Sequence, residues 1–175
     1  MKLSKQENPM LQTKIDKVVA NISVGKSGEP LERASKILKQ LTGQNPSKRK
    51  AKKTIRDFGI RKGEPIACLV TLRKERAKAF LEKAFQAVDN KISKGCFDRS
   101  GNFSFGIKEH IEIPGTRYVP ELGIYGMDIS VSFSRLGYRI KHRCRAKSKI
   151  GASHIVRPEE AMSFLKEEFG VEIAE

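Results

Sequence analysis

From Met127 to Phe133 the chain alternates without a fault: Met127, Ile129, Val131 and Phe133 are apolar, while Asp128, Ser130 and Ser132 between them are polar. Successive side chains of a strand point to opposite faces, so this segment can be buried on one side only. That pattern asks for a sheet with one covered and one open face, an arrangement natural to antiparallel strands. Phe103, Phe105 and Ile107, separated by Ser104 and Gly106, repeat it. Between Ile15 and Val24, the β-branched Val18, Val19, Ile22 and Val24 predict a more deeply buried strand that ends at Gly25. Ile66 to Leu72 reads as another strand.

Three helices are predicted to cover the sheet. Pro30 suits a first helical turn, after which Leu31, Ala34, Ile37, Leu38 and Leu41 share one face and Gly43 stops the helix. Ala77, Phe80, Leu81, Ala84, Phe85, Val88 and Ile92 predict a second helix over Lys74 to Ile92. A third begins near Pro158, with Glu159 and Glu160 complementing its dipole and Ala161, Met162, Leu165 and Phe169 on its buried side, up to Gly170. Strands and helices are interspersed without regular βαβ spacing. The expectation is one α+β domain over residues 1–175, an antiparallel-rich sheet with helices on one face and long basic loops. Residues 1–10 are expected as a flexible tail, 45–64 as a basic loop and 135–157 as a basic strand or loop extension.

The charge of +15 is concentrated in those last two segments. Ser47 to Lys62 holds eight Lys or Arg against Asp57 alone, and Arg135 to Arg157 holds eight with no acid, leaving nineteen of each sign elsewhere. Such patches suit a polyanion, because neutralising phosphates releases condensed counterions. From Arg139 to Lys149 a cation occupies every odd position: Arg139, Lys141, Arg143, Arg145, Lys147 and Lys149. If extended, these would lie on one side about 6.6 Å apart, near the phosphate spacing. A solvated edge strand is the plainer explanation, but mixed signs would serve solubility equally well, so RNA or DNA contact is favoured. Around Lys48 to Lys62, Ile55, Phe58 and Ile60 are interleaved among cations, as in loops that reach into RNA or are tethered to a core.

Catalytic and membrane roles find little support. No stretch of roughly 18 to 20 apolar residues occurs, and the first residues lack a signal peptide's apolar centre, so a cytoplasmic protein is expected. Cys68, Cys96 and Cys144 are odd in number and far apart, which predicts reduced thiols. Val24-Gly-Lys-Ser-Gly28 fails the phosphate-loop pattern because Ala20 stands where glycine is required. It reads as a strand-to-helix turn whose Lys26 can still meet an RNA phosphate. His110, His142 and His154 form no metal-ligand spacing with the cysteines, and Glu109, Glu112 and Glu121 form no acid–base pair. Phe97, Phe103 and Phe105 could stack on bases, but their alternation favours the core. No cofactor or metal is expected. An RNA-modifying enzyme, or a regulatory adaptor for an acidic protein, remains as an alternative.

Six strings, in order, resemble the large-subunit ribosomal protein five family: Asn21-Ile-Ser-Val-Gly25, Thr42-Gly-Gln-Asn-Pro46, Lys52-Lys-Thr-Ile-Arg-Asp-Phe-Gly-Ile-Arg-Lys-Gly-Glu-Pro65, Val70-Thr-Leu-Arg73, Phe97-Asp-Arg-Ser-Gly-Asn-Phe-Ser-Phe-Gly106 and Gly126-Met-Asp128. The basic stretch after Gly137 is similar to the archaeal and eukaryotic form, and an archaeal type is expected. The resemblance implies a structural, non-enzymatic protein that holds 5S ribosomal RNA in the central protuberance and helps attach it to large-subunit RNA. It implies 5S contacts at Asn21, Ser23, Gly25, Thr42, Gly43 and Gln44, with Lys48 and Arg49 beside them. Ser23 departs from the glycine that members often carry. It further implies that the loop from Lys52 to Glu64 approaches peptidyl-site transfer RNA, through Lys52, Lys53, Arg56, Phe58, Arg61 and Lys62. Neighbouring ribosomal proteins, and a bridge to the small subunit, complete the implied partners.

Overall fold

A computed structural model describes residues 8–174. In chain order its elements are β1 (Lys14–Ser23), α1 (Glu29–Thr42), β2 (Ser47–Lys50), β3 (Pro65–Leu72), α2 (Lys74–Gln86), β4 (Lys91–Ser93), β5 (Phe103–Ile107), β6 (Met127–Ser134), α3 (Arg139–His142), α4 (Pro158–Phe169) and β7 (Glu172–Ala174). The expected tail lies outside the described residues up to position 7, and Pro9–Leu11 forms a single 3-10 turn.

Five strands make an antiparallel sheet in the order β2-β3-β1-β6-β5, and β4 pairs with β7 in parallel. The register puts Val18 opposite Leu72 and Val131, Ala20 opposite Val70 and Ile129, and Ile22 opposite Cys68. All of these are buried, and the helices supply Leu31, Ala34, Ile37, Leu38, Ala77, Leu81, Ala84, Ala161 and Leu165 against them. The α+β fold with helices on one face is thus the expected one. Phe103 stacks on Phe97 at 5.1 Å and on Phe105 at 6.0 Å, while Phe85 meets Phe169 edge-on at 5.3 Å. The three phenylalanines of doubtful role belong to the core.

Three expectations are corrected. The second helix stops at Gln86 instead of Ile92, because Asp89 and Asn90 adopt left-handed φ values of 52° and 55° and turn the chain into β4. Val88 and Ile92 still pack on the core, from outside the helix. The basic loop of residues 45–64 begins as β2, an edge strand against β3, and continues as an ordered hairpin. The alternating cations of Arg139–Lys149 are not extended. Arg139–His142 form one helical turn, Ser148 N donates to the Ile140 carbonyl (3.3 Å), and Arg143 Nε donates to the Ala146 carbonyl (2.8 Å), which folds the loop on itself. Among the described residues no strand lies beside it, and almost every residue in it is exposed, so neither ladder bonds nor burial reward extension.

Candidate nucleic-acid interface

Odd-numbered positions of β1 and β3 and even-numbered ones of β5 and β6 face away from the helices. Their register builds rows across the open face: Ser47, Leu69, Asn21, Asp128 and Gly106 form one row, and Thr71, Val19, Ser130 and Ser104 form the next. No aromatic ring occurs in these rows. Apart from Asp128, small hydroxyl, amide and aliphatic groups make up these rows and favour contact with ribose over base stacking.

At one end of the face, Ser23 pairs with Ala67, and Ala67 pairs with Arg49. Arg49 therefore lies two strands from Ser23, about 10 Å away. Asn21 Nδ2 donates to Ser23 Oγ at 2.9 Å. Val24 and Gly25 N–H both donate to the Ile66 carbonyl, and Gly25 takes φ +75°, so the chain turns toward α1 with Lys26 exposed. Asn21, Ser23, Gly25, Lys26 and Arg49 thus come together.

The other implied 5S contacts lie elsewhere. Lys48 pairs in register with buried Cys68, so it points toward the helical layer, and its Nζ is 3.8 Å from Glu32 of α1. Burial raises the Cys68 thiol pKa to about 11, which keeps it protonated. Thr42, Gly43 and Gln44 close the far end of α1. Gly43 is the left-handed cap at φ 65°, Thr42 Oγ1 donates to the Leu38 carbonyl (2.6 Å), and the Gln44 amide, oriented to satisfy both neighbours, donates to Thr71 O (3.2 Å) and accepts from Arg76 Nη1 (3.1 Å). Thr71 is five residues along β3 from Ile66, so Gln44 sits about 17 Å from the Ser23 end.

Beyond β2 and β3 the hairpin is built in stages. Ala51 N bonds to Glu64 O, Ile55 and Ile60 exchange both backbone bonds, and Gly59 N closes a turn onto Arg56 O. Phe58 is 73 % exposed at the tip, with Lys52, Lys53, Arg56, Arg61 and Lys62 exposed along the sides. Glu64 accepts from Ser27 Oγ (2.5 Å) and Arg61 N (3.1 Å), tying the hairpin base to the β1–α1 turn. Those bonds, chiefly the one from Ser27, hold its carboxyl below the usual range.

The opposite end of the sheet carries a cleft of about 1250 Å³. Arg139, Lys141, Lys147 and Lys149 line it, joined by Lys17, Arg73 and Arg135, while Arg143 and Arg145 do not. Asp16, the one acid in its lining, is paired to Arg73 at 2.8 Å. Arg135 is buried, with Nη2 2.6 Å from Glu160 and Nη1 3.4 Å from the Ser153 carbonyl. Tyr138 OH donates to His154 O and accepts from Val156 N, fixing the root of the loop. Sequence reasoning did not single out Lys17 or Arg73, and counted Arg135 only within the basic segment 135–157; Lys17 lies on β1, while Arg73 and Arg135 directly follow β3 and β6.

An α+β body with an open hydroxyl-rich face and cations at both ends presents surfaces suited to a polyanion. Comparisons with known proteins agree. Residues 8–61 match the family model described as Ribosomal protein L5, and residues 65–164 match the model of the same family's C-terminus. The chain is 52% identical over 166 residues to the large ribosomal subunit protein uL5 of Pyrobaculum aerophilum, covering 95% of this chain and 93% of the relative. It is 48% identical to that of Sulfolobus acidocaldarius over 100% and 98% of the two chains, and 46% identical to that of Methanococcoides burtonii over 95% and 98%. The chain belongs to the ribosomal protein L5 family, in its archaeal form, and is a structural, non-enzymatic protein.

Proposed function

We propose that this chain is a constituent of the cytoplasmic large ribosomal subunit that binds 5S ribosomal RNA and helps attach it to the large-subunit RNA of the central protuberance. The observation that carries this reading is the convergence of Asn21, Ser23, Gly25, Lys26 and Arg49 at one end of an uncovered sheet face. Arg49 and Lys26 supply phosphate contacts, while the hydroxyl and amide rows read the shape and 2′-hydroxyls of RNA. Thr42, Gly43 and Gln44 support the end of α1 in this reading. The hairpin tip, with Phe58 between Arg56 and Arg61, projects from the same end and is the part that meets peptidyl-site transfer RNA. Neighbouring ribosomal proteins, and a small-subunit bridge, are further partners of this reading. The test is a gel-shift titration against archaeal 5S RNA with transfer RNA and a length-matched duplex as competitors. Preference for 5S RNA supports the assignment, and equal affinity for all three overturns it.

A further inference from the structure

The cleft at the Lys17 end continues the outward register of β1 and β6 past Val19 and Ser130, but differs from the rest of the open face in shape and in charge. It is concave, its walls come from separate segments of the chain, and of the seven cations in its lining Arg73 is paired with Asp16 and Arg135 with Glu160, which leaves Lys17, Arg139, Lys141, Lys147 and Lys149. Its volume of about 1250 Å³ exceeds the roughly 300–1,000 Å³ of small-molecule sites. A duplex does not fit such a space, but a single strand of a few nucleotides does. The Ser132 and Ser134 side chains line it beside the cations and can serve ribose hydroxyls. Arg135 forms part of the lining with its guanidinium locked by Glu160 and Ser153, and its Nε is buried without an acceptor among the described residues. Its charge is met by Glu160, so Arg135 holds the wall of the cleft in place, and the exposed Arg139, Lys141, Lys147 and Lys149 supply the charge that a phosphate meets.

We propose that this cleft is a second RNA site, which takes the phosphodiester backbone of an unpaired strand while the open face holds its own RNA at the other end of the sheet. The inference deepens the ribosomal reading above by naming the ligand of the basic segment and separating it from the 5S surface. The run of β1 from Lys17 to Ser23 keeps the two sites about 20 Å apart. A strand is favoured over an acidic peptide because lysines, arginines and serines predominate in the lining, and its two aromatic side chains offer no open anchor for a protein partner, Phe133 being buried in the core. Tyr138, its one tyrosine, has its hydroxyl committed to His154 and Val156.

The test uses the full chain and fluorescence anisotropy of a labelled, mixed-sequence single-stranded RNA of about 12 nucleotides. In the variant Lys17→Gln, Lys141→Gln, Lys147→Gln, Lys149→Gln, affinity is expected to fall about tenfold or more, and the slope of log affinity against log salt by about 0.7 for each phosphate no longer neutralised. The corresponding four-arginine variant, which keeps the charge, should bind within about twofold of the parent, as should Arg49→Gln. Saturation of the parent with unlabelled archaeal 5S RNA should leave the labelled strand bound. Parental affinity in the glutamine variant, displacement of the strand by 5S RNA, or equal binding of polyglutamate or of a duplex would each overturn the second site. Should 5S RNA fail to bind at all, the ribosomal reading falls, while the arms without 5S RNA still decide the cleft.

Discussion

One position of register separates two neighbouring cations. Arg49 lies in a row with Ala67 and Ser23 on the open face, whereas Lys48 points to Cys68 and Glu32 on the helix side. Arg49→Gln should therefore weaken 5S RNA binding about five- to tenfold, and Lys48→Gln should stay within about twofold when both are measured by filter binding at one salt concentration. Equal losses would show that only net charge matters. This distinction is invisible in the string Ser47-Lys-Arg-Lys50, which carries no apolar residue to announce which side is inward. Asn21, Ser23 and Gly25 come from the family resemblance; the apolar pattern of the strand by itself discloses only that the strand ends at Gly25. Gln44 was placed with them by sequence likeness, and only the folded chain shows that its amide serves Thr71 and Arg76.

At the scale of elements, the strands and helices that the sequence discloses are those with a clear apolar period: β1, β3, β5, β6, α1 and α4. The end of α2 escaped because Val88 and Ile92 continue the apolar spacing while Asp89 and Asn90 leave helical backbone, a conflict that periodicity alone cannot resolve. β4 and β7, three residues each, are too short to show a period. The cations of Arg139–Lys149 imitated a strand because charge alternated, but strand formation needs a partner and a buried face, and charge supplies neither. Gly126 illustrates a constraint set by packing. A Cβ there would stand 2.9 Å from Lys108 O and 3.3 Å from Ile107 O, where β6 begins beside the end of β5. Gly126→Ala should lower stability by about 1–3 kcal/mol in urea unfolding. An unchanged midpoint would mean that the strand ends part freely.

For the molecule as a whole, acid is the direction of weakness. His110 is buried, and its Nδ1 accepts from Tyr125 N (3.3 Å), an arrangement open only to the neutral ring. Burial holds its pKa below the ordinary 6.5, and hydrogen bonds from Ser27 and Arg61 hold that of Glu64 below 4.5. Both folded values are lowered, so the stabilisation from each group is present above its unfolded value and is lost as pH falls through its folded one. Urea midpoints should decline on acidification below pH 6.5, first through the loop that holds His110 and then through the hairpin base at Glu64. His110→Gln should abolish the earlier decline. A midpoint insensitive to pH between those values would refute this account of the loop.

The two family matches meet in the hairpin between β2 and β3, yet β3 lies between β2 and β1, so both halves share one sheet whose outer margin is β2. Unpaired N–H and C=O groups on such a margin invite another chain to add a strand. Here that margin carries Lys48, Arg49 and Lys50 in succession. A second copy approaching in register would set three positive charges against three of its own. While the chain awaits its RNA, Arg49, the one of the three assigned to phosphate recognition, therefore also joins Lys48 and Lys50 in keeping newly made copies from zipping together.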